Sequence, residues 1–180
     1  MGFLTAEKIE DLETNRPGGG YFRTKEIPDN GKVRVRFLGD AITGVGGWRD
    51  GKPLRFEVRP EDFDITTLDV NKIDNKPGKL TDFIATVLWN YKTETLQIFE
   101  ITQRTIQDKC IALQRNESWG DITHYDIEIT KKVGARVDYE VTALPDGKGK
   151  TDKAIMKAFD ETFIDLTQLY SNGDPFKPGE

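Results

Sequence analysis

Between Asp82 and Asn116 the hydrophobic pattern changes period once, and most of the fold can be read from that change. Residues 82–90, DFIATVLWN, and 95–101, TLQIFEI, set Phe83, Ile84, Val87, Leu88 and Trp89 against Leu96, Ile98, Phe99 and Ile101 across a short polar turn. Runs this rich in β-branched and aromatic residues predict a β-hairpin. Ile106, Cys110 and Leu113 then follow at i, i+4 and i+7, which predicts a helix over 103–115. Thr102 is its expected N-cap, with Ile101 and Ile106 as a hydrophobic staple.

Strict alternation marks three further strands. In KVRVRFLG, residues 32–39, Val33, Val35 and Phe37 point one way and Lys32, Arg34 and Arg36 the other. This predicts a half-buried strand whose outer face is a row of cations. Tyr125, Ile127 and Ile129 alternate over 124–131, and Val137, Tyr139 and Val141 over 136–143, so a second hairpin is expected around the basic loop KKVGAR. Ile155, Phe159, Phe163 and Leu166 form one stripe of an expected helix over 152–170, with Gly173 as its stop. At the other end, residues 4–13 predict a short polar helix capped by Thr5, and NRPGGG, residues 15–20, a hinge.

The resulting division is an N-terminal arm and hinge (1–31), a β domain (32–144), a linker and helix (145–171) and a flexible tail (172–180). Residues 48–81 interrupt the β domain as a long excursion that opens on the strong turn signal Asp50-Gly51. The fold class is mainly β with helices. Five strands with a helix between the third and fourth is the order of the OB-fold barrel, although an α+β sheet with a helix on one side has the same order.

Composition narrows the function. The chain has 180 residues, enough for one domain with a proper core, and its apolar runs are strand-length, so neither a membrane span nor a secretory signal is expected. Cys110 is the single cysteine and His124 the single histidine, which rules out an internal disulfide and a structural zinc site of Cys and His ligands; no cofactor or metal is expected. Net charge is −5, yet Lys32, Arg34, Arg36, Arg49, Lys52, Arg55 and Arg59 face only Asp40, Asp50 and Glu57 between residues 32 and 59. Local charge is what a polyanion senses within a Debye length of about 8–10 Å.

A sequence-tolerant binder of single strands needs cations for phosphates and flat side chains on which bases stack. The expected set is Arg34 and Arg36 on the first strand, and Trp48, Arg49, Lys52 and Arg55 on the excursion. Trp89 and Tyr91 join them at the hairpin end, with Lys131, Lys132 and Arg136 in the last loop. Trp48, beside glycines 46 and 47, is the preferred stacker; Trp119 and Tyr125 are assigned to packing.

LWNYKTETLQIFEITQRTIQDKC with WGDITHYDIEITKKVG, and KVRVRFLGDAITGVGGW before them, resemble bacteriophage single-stranded DNA-binding proteins of the OB type over about residues 32–143. The resemblance implies non-specific coating of single-stranded DNA in phage replication, recombination and repair, in the host cytoplasm, with no enzymatic activity. Some relatives carry a zinc module after the first strand, for which this chain has no ligands. Asp174-Pro175-Phe176 resembles the tail tips that recruit replication partners, and the hinged arm suggests self-association on DNA. Two other readings stand beside this one. One is a structural or adaptor barrel that binds protein, and the other a metal-dependent nuclease built on Asp126, Glu128 and Lys131, or on Pro145-Asp146 with Lys148. A phosphate loop at Gly149-Lys150-Thr151 fails, because Leu144 stands where a glycine is required.

Overall fold

The computed structural model describes residues 20–177, so the helix expected over 4–13 lies outside the described residues. Seven strands form one curled, mixed sheet. They are β1 (Tyr21–Phe22), β2 (Lys32–Arg49), β3 (Lys52–Phe56), β4 (Thr81–Asn90), β5 (Thr95–Ile101), β6 (Asp126–Val133) and β7 (Val137–Leu144), with helices α1 (Arg104–Arg115) and α2 (Lys153–Glu161). The order across the sheet is β1-β5-β4-β2-β6-β7, and β3 pairs with β2. All five expected strands are present. The two additions are β1, parallel to β5, and β3, which folds back on an extended β2.

β2 serves two parts of the sheet because it bends. Its register with β4 shifts between Leu38 and Ile42, where Gly39 takes φ +68°, a conformation that strains any residue bearing a Cβ. Before the bend β2 pairs with β4 and β6; beyond it, with β4 and β3. Inside the curl, Val33, Val35, Phe37, Leu88, Phe99, Tyr125, Ile127 and Ile129 make the main core with Ile106 and Cys110 of α1. That helix packs against β7 and touches β5, bridging strands that do not pair with each other. Burial pushes the Cys110 thiol up to about 12, in keeping with a packing role. α1 begins one residue later than expected: Gln103 is its N-cap, and its amide donates to Thr24 Oγ1 at 3.0 Å instead of capping the helix.

The outer face of the sheet is also covered. Phe83, Ala85, Val87 and Ile98 turn outward on β4 and β5 and are buried under Leu166 and Leu169. Residues 145–176 cross this face as a strap, through a 3₁₀ turn at Pro145–Gly147, then α2, then a 3₁₀ helix at Leu166–Ser171. The long helix expected over 152–170 therefore ends at Glu161. Asp165 opens a new turn by accepting from Thr167 N at 3.0 Å, a local bond that competes with helix continuation. The break leaves Phe163, expected in the apolar stripe, 74% exposed.

Both proposed ends of the domain are corrected. Residues 20–31 belong to the body: Phe22 and Ile27 are buried, and Ile98 N donates to Gly20 O at 2.9 Å. The tail is docked as far as Lys177, the last described residue. Phe176 packs on the outer core and over Gly20, Pro175 is buried, and Pro175 O accepts from Asp165 N at 2.9 Å. Phe176, expected within a flexible tail, is thus partly buried against its own domain.

Candidate functional site

The strap decides where the first-strand cations go. Arg36 is 1% exposed. Its Nη1 lies 3.2 Å from Asp126 Oδ1 and donates to Gly147 O at 2.9 Å, while Nη2 donates to Thr151 Oγ1 at 2.7 Å. Arg34 Nε donates to Asp126 Oδ2 at 2.9 Å, and its Nη2 contacts the same oxygen. Tyr91 Oη donates to Asp126 Oδ1 at 2.9 Å, beneath the Arg34 guanidinium, whose centre lies 5.0 Å from the ring. Burial, then the bond to Asp126, pushes the Tyr91 hydroxyl up to about 12. The expected outward row of cations is corrected here: Arg36 is a buried counter-ion that ties the strap to the sheet, and Arg34 is committed to the same carboxylate. Asp126, on which the nuclease reading leaned, is saturated by these donors. Among the described residues no group of three or more His, Cys, Asp or Glu could hold a metal ion.

The last-loop cations are also engaged in part. Lys131 pairs with Asp29 at 2.7 Å and Lys132 with Glu140 at 2.8 Å; that pairing holds the Glu140 carboxyl below its usual range. Arg136 is exposed at the β6–β7 turn. Trp89 is half-buried, in register with Arg36 on β2 and Leu96 on β5. Trp119 and Tyr125 pack together, ring centroids 5.0 Å apart, as expected.

Trp48 is placed differently. It stands 58% exposed near the end of β2 and lines two adjoining cavities of about 700 and 750 Å³. They share Trp48, Pro53, Arg55, Glu100 and Thr102 and together make one long cleft. One side is the returning limb of the excursion, with Lys72, Lys76 and Lys79; the other runs past Arg23 and Lys25 to Asn172. Six cations (Arg23, Lys25, Arg55, Lys72, Lys76 and Lys79) line it against three carboxylates, and each carboxylate has a partner. Glu100 holds Arg55 at 2.8 Å, Asp74 holds Lys76 at 3.2 Å, and Asp69 accepts from backbone N–H groups. Lys25, Lys72 and Lys79 form no salt bridge with a described residue, so their charge faces the cleft uncompensated. Arg49 and Lys52 are exposed opposite each other beside the Asp50-Gly51 turn.

Glycine makes part of the cleft wall. A Cβ on Gly46 would lie 3.2 Å from Leu54 O, and one on Gly47 3.2 Å from Lys79 O. The long excursion has its own small core of Val45, Leu68 and Leu80 with Leu54, Phe56 and Phe63 packed on it. This accounts for its order without metal ligands.

The structure thus brings together Trp48, Arg49, Lys52 and Arg55 of the expected set and parts them from Arg34, Arg36 and Tyr91. Sequence reasoning missed Lys72, Lys76 and Lys79; their signal was Asp74-Asn75, turn residues where the limb reverses, Asn75 taking φ +55° and Asn71 N donating to Lys76 O at 2.9 Å. No protein-family model matches the chain, and no curated protein is significantly similar to it. Among the described residues no helix is long and apolar enough to cross a membrane.

Proposed function

We propose that this chain binds single-stranded DNA without sequence specificity, coating and protecting it in phage replication, recombination and repair within the host cytoplasm, and is not an enzyme. One observation carries the reading: an exposed tryptophan in a long open cleft whose free charges are lysines, in a protein of net charge −5. Phosphates are tracked by Lys72, Lys79 and Lys25, with Arg49 and Lys52 at the rim. Bases stack on Trp48, each such contact contributing about 1–3 kcal/mol. Sequence tolerance follows, since every base has a π face and lysine reads only charge.

The OB-fold is the finer reading of the sheet. Numbering only its five central strands, β5-β4-β2-β6-β7 reads 3-2-1-4-5, with a helix after the third. Trp48 lies near the end of the first of these strands, where the connection to the second, a binding loop in that architecture, begins. The strap occupies the outward face of β4 and β5, so binding is displaced to the side cleft.

The test is titration of oligo-dT against tryptophan emission over a salt series. Affinity should fall with salt, and Lys72→Glu with Lys79→Glu should flatten the slope by about 0.7 per lost phosphate contact. A salt-independent signal, or equal affinity for duplex, would sink the proposal. No binding even at low salt would favour the protein-binding adaptor.

A further inference from the structure

Trp48 can act as a platform only if something holds the hairpin that carries it. The β2–β3 connection is the two-residue turn Asp50-Gly51, with φ +54° and +72°, and Arg49 faces Lys52 across it. Both turn N–H groups donate to one carboxylate. Asp50 N lies 2.8 Å from Asp69 Oδ1 and Gly51 N 2.8 Å from Asp69 Oδ2, and Asp69 N donates to Trp48 O at 2.8 Å. Three hydrogen bonds from one residue of the excursion therefore bracket Trp48 to Gly51.

The grip extends to the lysine wall. A Cβ on Gly78 would collide with Asp69 O and come within 2.7 Å of Leu68 Cβ, so the returning limb lies flat on residues 68–69. From the other side, a Cβ on Gly47 would be 3.3 Å from Leu68 Cδ2. Hairpin, outgoing limb and returning limb are thus stacked on one another, and Asp69 joins the part bearing Trp48 to the part bearing Lys72 and Lys79.

We infer that Asp69 is the positioning residue of the cleft: its carboxylate seats the Asp50-Gly51 turn and holds Trp48 at a set place against the lysine wall. The inference rests on the single-strand reading for its use. Asparagine has the same shape but one acceptor oxygen, so it satisfies one turn N–H and turns its own NH₂ towards the other. Two N–H groups converging on an anion also form the kind of nest that takes phosphate. The opposite role, in which Asp69 occupies the seat of a strand phosphate, predicts a rise in affinity when the carboxylate is removed.

The experiment uses the full chain with 5-fluorotryptophan, the Trp48 resonance being assigned by its loss in Trp48→Ala. Asp69→Asn should narrow and shift that resonance, leave those of Trp89 and Trp119 in place, and lower oligo-dT affinity about tenfold. In a Trp48→Ala background it should have no further effect on affinity, which a general loss of structure would not reproduce. A Trp48 resonance unmoved by Asp69→Asn overturns the inference whatever the DNA result. So does a loss additive with Trp48→Ala, or a gain in affinity. Wild-type protein that fails to bind oligo-dT overturns the functional reading instead, while the fluorine spectrum still judges Asp69. If urea unfolding shows Asp69→Asn to be misfolded, Asp69→Glu takes its place, with the same shift of the Trp48 resonance expected and its absence counting against the role.

Discussion

Arg36 on β2 and Asp126 on β6 meet at 3.2 Å with each side chain only 2% exposed, one step along from the paired residues Val35 and Ile127. The pair is covered because Gly147 and Thr151 lie over it, Gly147 O accepting from Arg36 Nη1 and Thr151 Oγ1 from Nη2, while Nε is buried with no partner. Removing one partner of a buried pair leaves the other charged and unsolvated. Asp126→Ala should therefore cost about 3–5 kcal/mol in urea unfolding. A loss below about 1 kcal/mol would show that water reaches Arg36 and that the strap is not closed over it.

Tyr91 gives the same knot an alkaline signature. Its hydroxyl is raised to about 12 from an ordinary value near 10, so between those values the folded chain holds a proton that the unfolded chain has lost. Stability from this group is complete below about pH 10 and declines as pH rises through about 12. Tyr91→Phe should flatten the fall of the urea midpoint over that window. An unchanged slope would place the alkaline sensitivity elsewhere.

Trp48→Ala should separate binding from folding. The side chain is mostly in solvent, so stability should stay within about 0.5 kcal/mol, while oligo-dT affinity should drop by about 1–3 kcal/mol. Parallel titrations and melts check both halves, and a lowered melting temperature with intact affinity would assign Trp48 to packing.

The break after α2 makes two apolar residues of the strap unequal. Leu169, 2% exposed on Phe83 and Ile98, should cost about 2–5 kcal/mol as Leu169→Ala, whereas Phe163→Ser should lie within about 0.5 kcal/mol of wild type. Chemical denaturation of both variants decides. A large loss at Phe163 would restore the continuous helix that the sequence stripe suggests.

Deleting residues 174–180 should lower stability by about 1–2 kcal/mol, because Phe176 leaves the outer core and Asp165 N loses Pro175 O. Differential scanning calorimetry measures this. An unchanged melting temperature would mean that the tail does not hold its docked place in solution and is free to meet partners.

The strands were legible because alternation and β-branching are local. β4, β5 and β6 fall where the periodicity put them to within about two residues, as boundaries usually do. The exposure of Trp48 was legible too, from the glycines before it and the cations after it. Periodicity could not say which face of the sheet is solvent. Lys32, Arg34 and Arg36 alternate with Val33, Val35 and Phe37 whether the outer face meets water or another layer. The hint lay in β4, where Phe83, Ala85 and Val87 are as apolar as Ile84 and Leu88, which demands cover on both sides.

By itself, then, the sequence determined the order of strands and helices, the main core and the presence of an exposed aromatic among cations. Each of these depends on neighbours within a few residues. Only the tertiary structure decided which cations are free. Charge becomes available or is consumed according to what lies across the sheet: Asp126 stands 90 residues from Arg36, and Lys72 and Lys79 reach Trp48 only once the excursion reverses between Asn71 and Lys76 and its returning limb packs on residues 68–69 through Gly78.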